Sequence, residues 1–376
     1  MKRTVRNIFL IALTCITPLK ASKASEIAAP DKALTMAQTV QKSGQKNTYL
    51  VRQVINKKVT AIDISRHFNY FPDDPLNFFK NYSYEELESL YDREGETLLD
   101  YQSLLPSGGT GGAHIAAGTN YLEHGEEADI NEVFLFPKFA KATPSYSQIR
   151  YQPDALLDYE VELCMRWVED LEQPEQAKGL AGLFVCGDFT DRATLLRKID
   201  VGNVTSGHGF TDAKSGEKRF PTGPYIVVPE DWSSFIDEIT LSTYVNGERR
   251  QHARANEMIR SPQELIEMIF EKGSEPLWRY QNRDAVLFEG NTISNDQTLI
   301  TGTPEGVIYN TPGWGYRTAK SLKWLATLSF MNSGPITYIL EEYIAESKKE
   351  NRFLQEGDNV QLTATYLGNI EVDITK

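Results

Sequence analysis

The chain has 376 residues, 40% of them hydrophobic, and a formal charge of −13. That composition suits a globular enzyme and excludes a disordered or fibrous chain. The acidic balance excludes a broad binder of nucleic acid or anionic membrane, so an anionic ligand needs a local positive feature such as a metal ion or a placed lysine.

The first residues read as a secretory signal. Lys2, Arg3 and Arg6 form a positive start, Ile8 to Ile16 an apolar run too short to span a bilayer, and Ser22-Lys23-Ala24 a cleavage site. Loss of residues 1–24 removes five cations and no acid and takes the charge from −13 to −18. An exported protein, periplasmic or secreted and without a stable membrane span after cleavage, is expected. Residues 25–50, rich in Ala, Lys, Ser, Thr and Gln, predict a flexible leader. Residues 51–111 predict a mostly helical region, with Ser83-Tyr-Glu-Glu-Leu as a capped helix start. The run Ser107-Gly-Gly-Thr-Gly-Gly lacks the Gly-Lys-Ser/Thr of a phosphate cradle and reads as a connector.

From residue 112 to 376 the pattern changes to short β-branched, apolar runs between turn residues, at 161–168, 183–189, 225–228, 239–245, 298–301 and 359–366. Ser261-Pro-Gln-Glu-Leu opens a helix with Pro262 in its first turn. The predicted class is α+β and strand-dominated. Residues 313–350 stand apart as two amphipathic helices broken at Gly334-Pro335. They read as an insertion packed on its own core or on a subunit partner, with a lid over the site as the alternative. Cys164 and Cys186 read as buried thiols on neighbouring strands; a disulfide is the alternative that export permits.

Five segments carry candidate chemistry. In Asp158-Tyr-Glu160-Val-Glu162-Leu, residues two apart on a strand share a face, so Glu160 and Glu162 aim into one volume. Their repulsion calls for a cation or a proton between them, unless the pair lies on an exposed edge. In Leu183-Phe-Val-Cys-Gly-Asp188, an apolar strand delivers a third carboxylate at its end; Asp188 alone is equally a turn residue. Three carboxylates with no Cys or His in the cluster favour Mg²⁺, with Mn²⁺ or Ca²⁺ possible, over Zn²⁺. In Gly118-Thr-Asn-Tyr-Leu-Glu-His124-Gly-Glu-Glu127, a helix puts His124 and Glu127 on one face, a dyad able to take a proton from water; a surface histidine is the plainer reading. Lys214 is a candidate to hold a carboxylate or enolate, though lone lysines are usually solvated. Ile300-Thr-Gly-Thr303-Pro-Glu-Gly306 makes a tight turn with a hydroxyl able to bond a carboxylate. Tyr121 and Arg192 join Thr303 as candidate substrate-binding residues.

Taken in this order, the segments resemble the fumarylacetoacetate hydrolase family over residues 112–312 and 353–376. Val245-Asn-Gly-Glu248 with Gln251, Gly223-Pro224 and Leu354-Gln-Glu-Gly-Asp-Asn-Val add further matching pieces. The resemblance implies a mixed β-roll with flanking helices, usually a homodimer. It implies that Glu160, Glu162 and Asp188 bind Mg²⁺ or a similar ion, that His124 with Glu127 activates water, that Lys214 stabilises developing negative charge and that Thr303 holds a substrate carboxylate. The expected activity is metal-dependent C–C hydrolysis of a small 2-oxo, acylpyruvate or β-diketo acid. Decarboxylation of a 2-oxo acid and isomerisation or hydration are the alternatives within the family, and an exported, non-catalytic metal- or solute-binding protein is the alternative outside it. Leu195 departs from the Gln that many members carry three residues after Arg192, Gly187 stands where Asn is common, and residues 313–350 exceed the usual link.

Overall fold

The computed structural model describes residues 27–376 except residue 94. The expected signal segment, residues 1–24, lies outside the described residues. Two sheets dominate. The larger has ten strands, ordered Thr97–Asp100, Lys58–Asp63, Lys46–Ile55, Ala33–Val40, Tyr225–Pro229, Ala181–Gly187, Val161–Trp167, Leu299–Ile300, Ala113–Gly118 and Phe134–Phe139. Neighbours run antiparallel apart from Leu299–Ile300 beside Ala113–Gly118. The second sheet, Glu248–Arg254, Thr240–Val245, Asn359–Ala364, Gly368–Thr375 and Tyr146–Arg150, closes with one parallel pair. Strand prevails over helix, as the pattern from residue 112 predicts.

The N-terminal hundred residues correct two expectations. Residues 33–40 and 46–55 are strands, not a flexible leader, and Lys58–Asp63 and Thr97–Asp100 extend the same sheet through a region predicted to be mostly helical. Helix there is limited to short pieces such as Ile64–Phe68 and Tyr84–Glu88; the latter starts at Ser83 with a capping box to Glu86, as the sequence predicts. Ala33–Val40 pairs with Tyr225–Pro229 over five residues. The N-terminal strands are therefore one flank of the main sheet, sharing its core, and not a separate unit.

The two central strands of the large sheet, Val161–Trp167 and Ala181–Gly187, are buried along their whole length. They are covalently joined by a disulfide between Cys164 and Cys186, which corrects the reading of these cysteines as free thiols. Ion pairs fix neighbouring segments to this centre: Arg166, buried, reaches Asp74 at 2.5 Å.

The 313–350 insertion forms helices Trp314–Ala326 and Pro335–Lys349, broken at Gly334-Pro335. Lys320 pairs with Glu342 and Glu346 to hold the two together. Tyr343 and Ile344 pack with Leu156, Ala193, Leu196 and Phe353 in a small core of their own, while no residue of Trp314–Ala326 is buried. Arg197 and Glu341 make a two-pronged contact at 2.7 and 2.9 Å that ties the insertion to helix Arg192–Lys198. No helix among the described residues is long and apolar enough to cross a membrane.

Candidate active site

The register of the two central strands builds the acidic cluster. Gly187 lies opposite Val161 and Cys186 opposite Glu162. One step further, Asp188 N–H donates to Glu160 O at 2.9 Å. Directly opposed residues share a face, so Glu160, Glu162 and Asp188 converge. Each offers an oxygen, and these lie within 4.8 Å of one another; all three residues are buried.

Cations surround the cluster on the protein side. Lys214 Nζ stands 2.5 Å from Glu160 Oε2 and 2.9 Å from Asp188 Oδ2. Arg192 bridges Asp158 at 2.9 Å and Glu160 at 2.7 Å. Lys138, fully buried, donates to Asp188 Oδ1 at 2.6 Å and to the carbonyls of Lys214 and Arg219, which uses all three of its N–H bonds. Burial opposes ionisation of Glu160, yet Lys214 and Arg192 outweigh it and hold its carboxyl down at about 2. Glu162 goes the other way. Burial first, then Asp188 and Glu160, push its carboxyl well above the ordinary range. The contacting network sets four carboxyl groups (Asp158, Glu160, Glu162, Asp188) against three cations, and Glu162 is the one with no cation paired to it among the described residues. A hard divalent cation fits this site: the donors are all carboxylate oxygens, close and buried, with one charge left uncompensated.

The second functional group lies across the cavity. Helix Leu122–Ala128 places His124 Nδ1 3.2 Å from Glu127 Oε2, the i,i+3 relationship the sequence predicts. Glu127 Oε1 in turn accepts from Gly306 N–H at 2.9 Å. Gly302 N–H donates to Glu162 Oε2 at 2.5 Å. Both glycines have positive φ, +100° and +97°. A Cβ at Gly306 would strike the carbonyl of Arg250, and one at Gly302 the side chain of Asn120. One turn thus aims two backbone donors at two site carboxylates, and only glycine allows it. Gln251, from the second sheet, braces the same turn: it accepts from Val161 N–H and Thr243 and donates to Thr303 Oγ1 and Pro304 O.

A cavity of about 410 Å³ is reached by part of these groups; Glu127, Glu162 and Asp188 lie behind its wall. His124, Glu160, Arg192, Lys214 and Thr303 line it. Thr303 donates its hydroxyl hydrogen to Val161 O at 2.9 Å, so its proton is already committed. Arg192 gives Nε to Asp158 and Nη2 to Glu160, with Tyr309 stacked 5.4 Å away. Tyr121 is buried, its hydroxyl is unpartnered, and it is not part of the cavity wall. Burial, with Glu162 and Glu257 nearby, raises its phenol. Lys138 escaped the sequence reading. Its signal was a lone cation within Val133-Phe-Leu-Phe-Pro-Lys138-Phe, an apolar strand where an unpaired ammonium would be costly.

An α+β fold with a buried three-carboxylate cluster that could hold a cation, and a His–Glu dyad whose histidine lines the same cavity as Glu160, is the arrangement of an enzyme site. The model of the fumarylacetoacetate (FAA) hydrolase C-terminal domain matches residues 113–375, and the chain belongs to that family. Among curated relatives, the 4-hydroxyphenylacetate degradation bifunctional isomerase/decarboxylase of Salmonella dublin is 28% identical over 211 residues, covering 54% of this chain and 43% of that protein. An uncharacterized protein of Staphylococcus aureus (strain USA300) is 27% identical over 274 residues, covering 70% and 68%. The chain thus spans less than half the length of the first and about two thirds of the second. Among solved structures, the fumarylacetoacetate hydrolase of Exiguobacterium antarcticum superposes with a TM-score of 0.57 at 19% identity, covering 91% of this chain and 99% of that one. The 2-hydroxyhepta-2,4-diene-1,7-dioate isomerase of Mycobacterium marinum gives 0.53 at 17%, covering 91% and 98%. At these identities the likeness establishes the fold.

Proposed function

We propose that the protein is a metal-dependent hydrolase that cleaves a C–C bond in a small acylpyruvate or β-diketo acid. One observation carries the reading: His124, hydrogen-bonded to Glu127, and Glu160, of the Glu160, Glu162, Asp188 cluster, line the same cavity, and Lys214, paired with Glu160 and Asp188, lines it too. Mg²⁺, or Mn²⁺ or Ca²⁺ in its place, held by the three carboxylates, would polarise the 2-oxo group of the substrate. The rest falls to the chain itself. With Nδ1–H donating to Glu127, the tautomer this pairing selects, His124 Nε2 accepts a proton from the attacking water. Glu127, anchored by Gly306, keeps the ring oriented and balances the imidazolium. Water adds to the distal carbonyl, and the Lys214 ammonium faces the oxyanion, a role worth roughly 3–4 kcal/mol for one good donor. The C–C bond then breaks. Its electron pair leaves with the 2-oxo acid fragment, which takes up a proton, and the other product is a carboxylic acid.

Decarboxylation or isomerisation is the second reading, favoured by the name of the Salmonella dublin relative; it needs the cation site and not the water-activating dyad. A non-catalytic binding protein would have no use for a dyad anchored from two sides. We also propose export, in keeping with a disulfide in the core and the basic, apolar start of the chain. The test is a screen of 2-oxo and 1,3-diketo acids with Mg²⁺ or Mn²⁺ and product analysis. Cleavage of acylpyruvates to pyruvate supports the hydrolase; carbon dioxide release alone transfers the assignment to a decarboxylase; binding without products sinks both.

A further inference from the structure

The cavity has two unlike ends. At one lie Glu160, Lys214 and His124. At the other the wall is built from Leu195, Leu196 and Ile199, from Phe210, and from Ile339 and Leu340 of the insertion. The charged residues on this second wall are Asp129 and Arg317, and they pair with each other at 3.5 Å. Arg317 also donates through Nε to Pro312 O at 2.6 Å. Arg192, at the boundary, is paired with two acids, Asp158 and Glu160. The cation of this wall among the described residues, Arg317, is thus already paired with an acid and a carbonyl. A second carboxylate on the substrate would lose its water there against an apolar wall and would meet Asp129 beside Arg317, which is expensive. An apolar group would gain from burial.

The insertion makes this end. Without Pro335–Lys349, Ile339 and Leu340 would leave one side of the chamber open. The chamber also runs outward past Val201 and Ile336, which line it while remaining 49% and 52% exposed. A tail longer than the chamber has an apolar exit.

We propose that the substrate is a monocarboxylic 2-oxo acid with an apolar tail, an alkyl chain or an aryl group, and that the 313–350 insertion sets this specificity through Ile339 and Leu340. The proposal rests on the functional reading above for the polar head of the substrate, and on the apolar wall alone for its tail.

Binding of oxamates separates the two. Oxamate presents a carboxylate and an adjacent carbonyl but is not an acylpyruvate, so its affinity does not depend on turnover. The probes are oxamate, N-butyl oxamate, N-octyl oxamate and an N-alkyl oxamate ending in a carboxylate, titrated calorimetrically into the full chain with Mn²⁺. Affinity should rise by about threefold to fourfold per methylene over the first few carbons, the gain expected for burying a CH₂ group. The carboxylate-ended probe should bind at least tenfold more weakly than its methyl-ended counterpart. Ile339→Asp should remove most of the tail dependence and leave oxamate itself unchanged. Met331→Asp, on the exposed outer surface and away from the cavity, should change neither. Because Ile339 is only partly buried, its replacement is compatible with folding. Affinity independent of the tail, or tighter binding of the carboxylate-ended probe, overturns the proposal. Tail-dependent binding in a protein that turns over no 2-oxo acid would leave the chamber standing and sink the hydrolase; turnover with flat affinities would do the reverse. Binding of no member of the series overturns both.

Discussion

The backbone N–H of Gly306 holds one oxygen of Glu127 at 2.9 Å, and the other oxygen of the same carboxylate faces His124. The dyad is thus positioned from a turn 179 residues further along the chain. Gly306→Ala places a Cβ against the Arg250 carbonyl at a φ of +97°, so the turn must shift. Backbone strain of this kind costs on the order of 1–3 kcal/mol. We expect kcat to fall at least tenfold with metal affinity retained. Gly302→Ala, which disturbs the donor to Glu162, should weaken metal binding instead. Calorimetric titration of Mg²⁺ beside steady-state kinetics checks both, and equal effects on both variants would contradict the division of labour.

His124→Ala removes the group that takes the proton from water. Hydrolysis of an acylpyruvate should drop by a factor of about 10² to 10⁴, the usual contribution of a positioned base. Decarboxylation of oxaloacetate, if the protein performs it, should be spared, since no water is activated in that reaction. The comparison is made on one variant with two substrates, so a folding defect would show as loss of both. Full acylpyruvate hydrolysis by His124→Ala would remove the imidazole from the mechanism.

The site was legible in the sequence where its geometry is local. Glu160 and Glu162 lie two apart on one strand, and His124 and Glu127 three apart on one helix, so period alone places each pair. The dyad and the acids meet because Leu299–Ile300 pairs with both Ala113–Gly118 and Val161–Trp167, a long-range fact that no local period records. The N-terminal strands were illegible for a different reason. Ala33–Val40 is buried on both faces except at its last residue, so it shows no alternation, and its composition reads as a flexible leader. Lys138 was hidden by its surroundings. A lone cation in an apolar strand signals a buried partner but does not say which, and Asp188 lies 50 residues away. The disulfide was underestimated because its partners are diagonal neighbours, Cys164 opposite Phe184 and Cys186 opposite Glu162, and register is invisible in the chain.

The Cys164–Cys186 bond spans a separation of 22 residues and joins the strands that carry all three acids. Closing a loop of that size restricts the unfolded chain by about 3 kcal/mol in the chain-entropy account. Both cysteines are fully buried, so a reductant reaches them only on unfolding. Dithiothreitol should leave the activity of native enzyme unchanged over minutes, yet lower the urea midpoint when present during unfolding and refolding. The double variant Cys164→Ala, Cys186→Ala should show the lower midpoint without reductant. Identical midpoints in all three cases would mean the bond contributes nothing to stability.

His114 gives the protein an acid-sensitive core. Its Nε2 donates to Ala140 O at 2.9 Å, and its Nδ1 accepts from Thr298 N–H at 3.2 Å, so the neutral ring fits and a second proton would face a donor. Burial, with the charges of Lys138 and Arg166, lowers the ring to about 3 from an ordinary 6.5. The unfolded chain binds the proton first. The contribution of the neutral ring is complete above pH 6.5 and is lost as pH falls towards 3, by about 1.4 kcal/mol per pH unit. A His114→Gln variant, less stable at pH 8, should lose stability more slowly between pH 6.5 and 5 than the parent. Parallel pH profiles from urea unfolding would contradict this.

Glu162→Gln separates the two roles of the acidic cluster, because it should move stability and metal binding in opposite directions. Glutamine keeps the shape and the oxygen that accepts from Gly302, but it removes the carboxylate on which the uncompensated charge falls. Without metal, the buried site then holds three carboxylates against Lys138, Lys214 and Arg192, and nothing is left unpaired. The metal-free variant should therefore unfold at the same temperature as the parent or higher. With Mg²⁺ or Mn²⁺ at a hundred times the dissociation constant, the parent should gain about 2.7 kcal/mol by mass action, whereas the variant should gain little. Thermal unfolding of both proteins, with chelator and with metal, decides it. A metal-free variant that melts several degrees below the parent while keeping the metal-dependent rise would mean that Glu162 is a structural acid, and the cation site would have to be sought elsewhere.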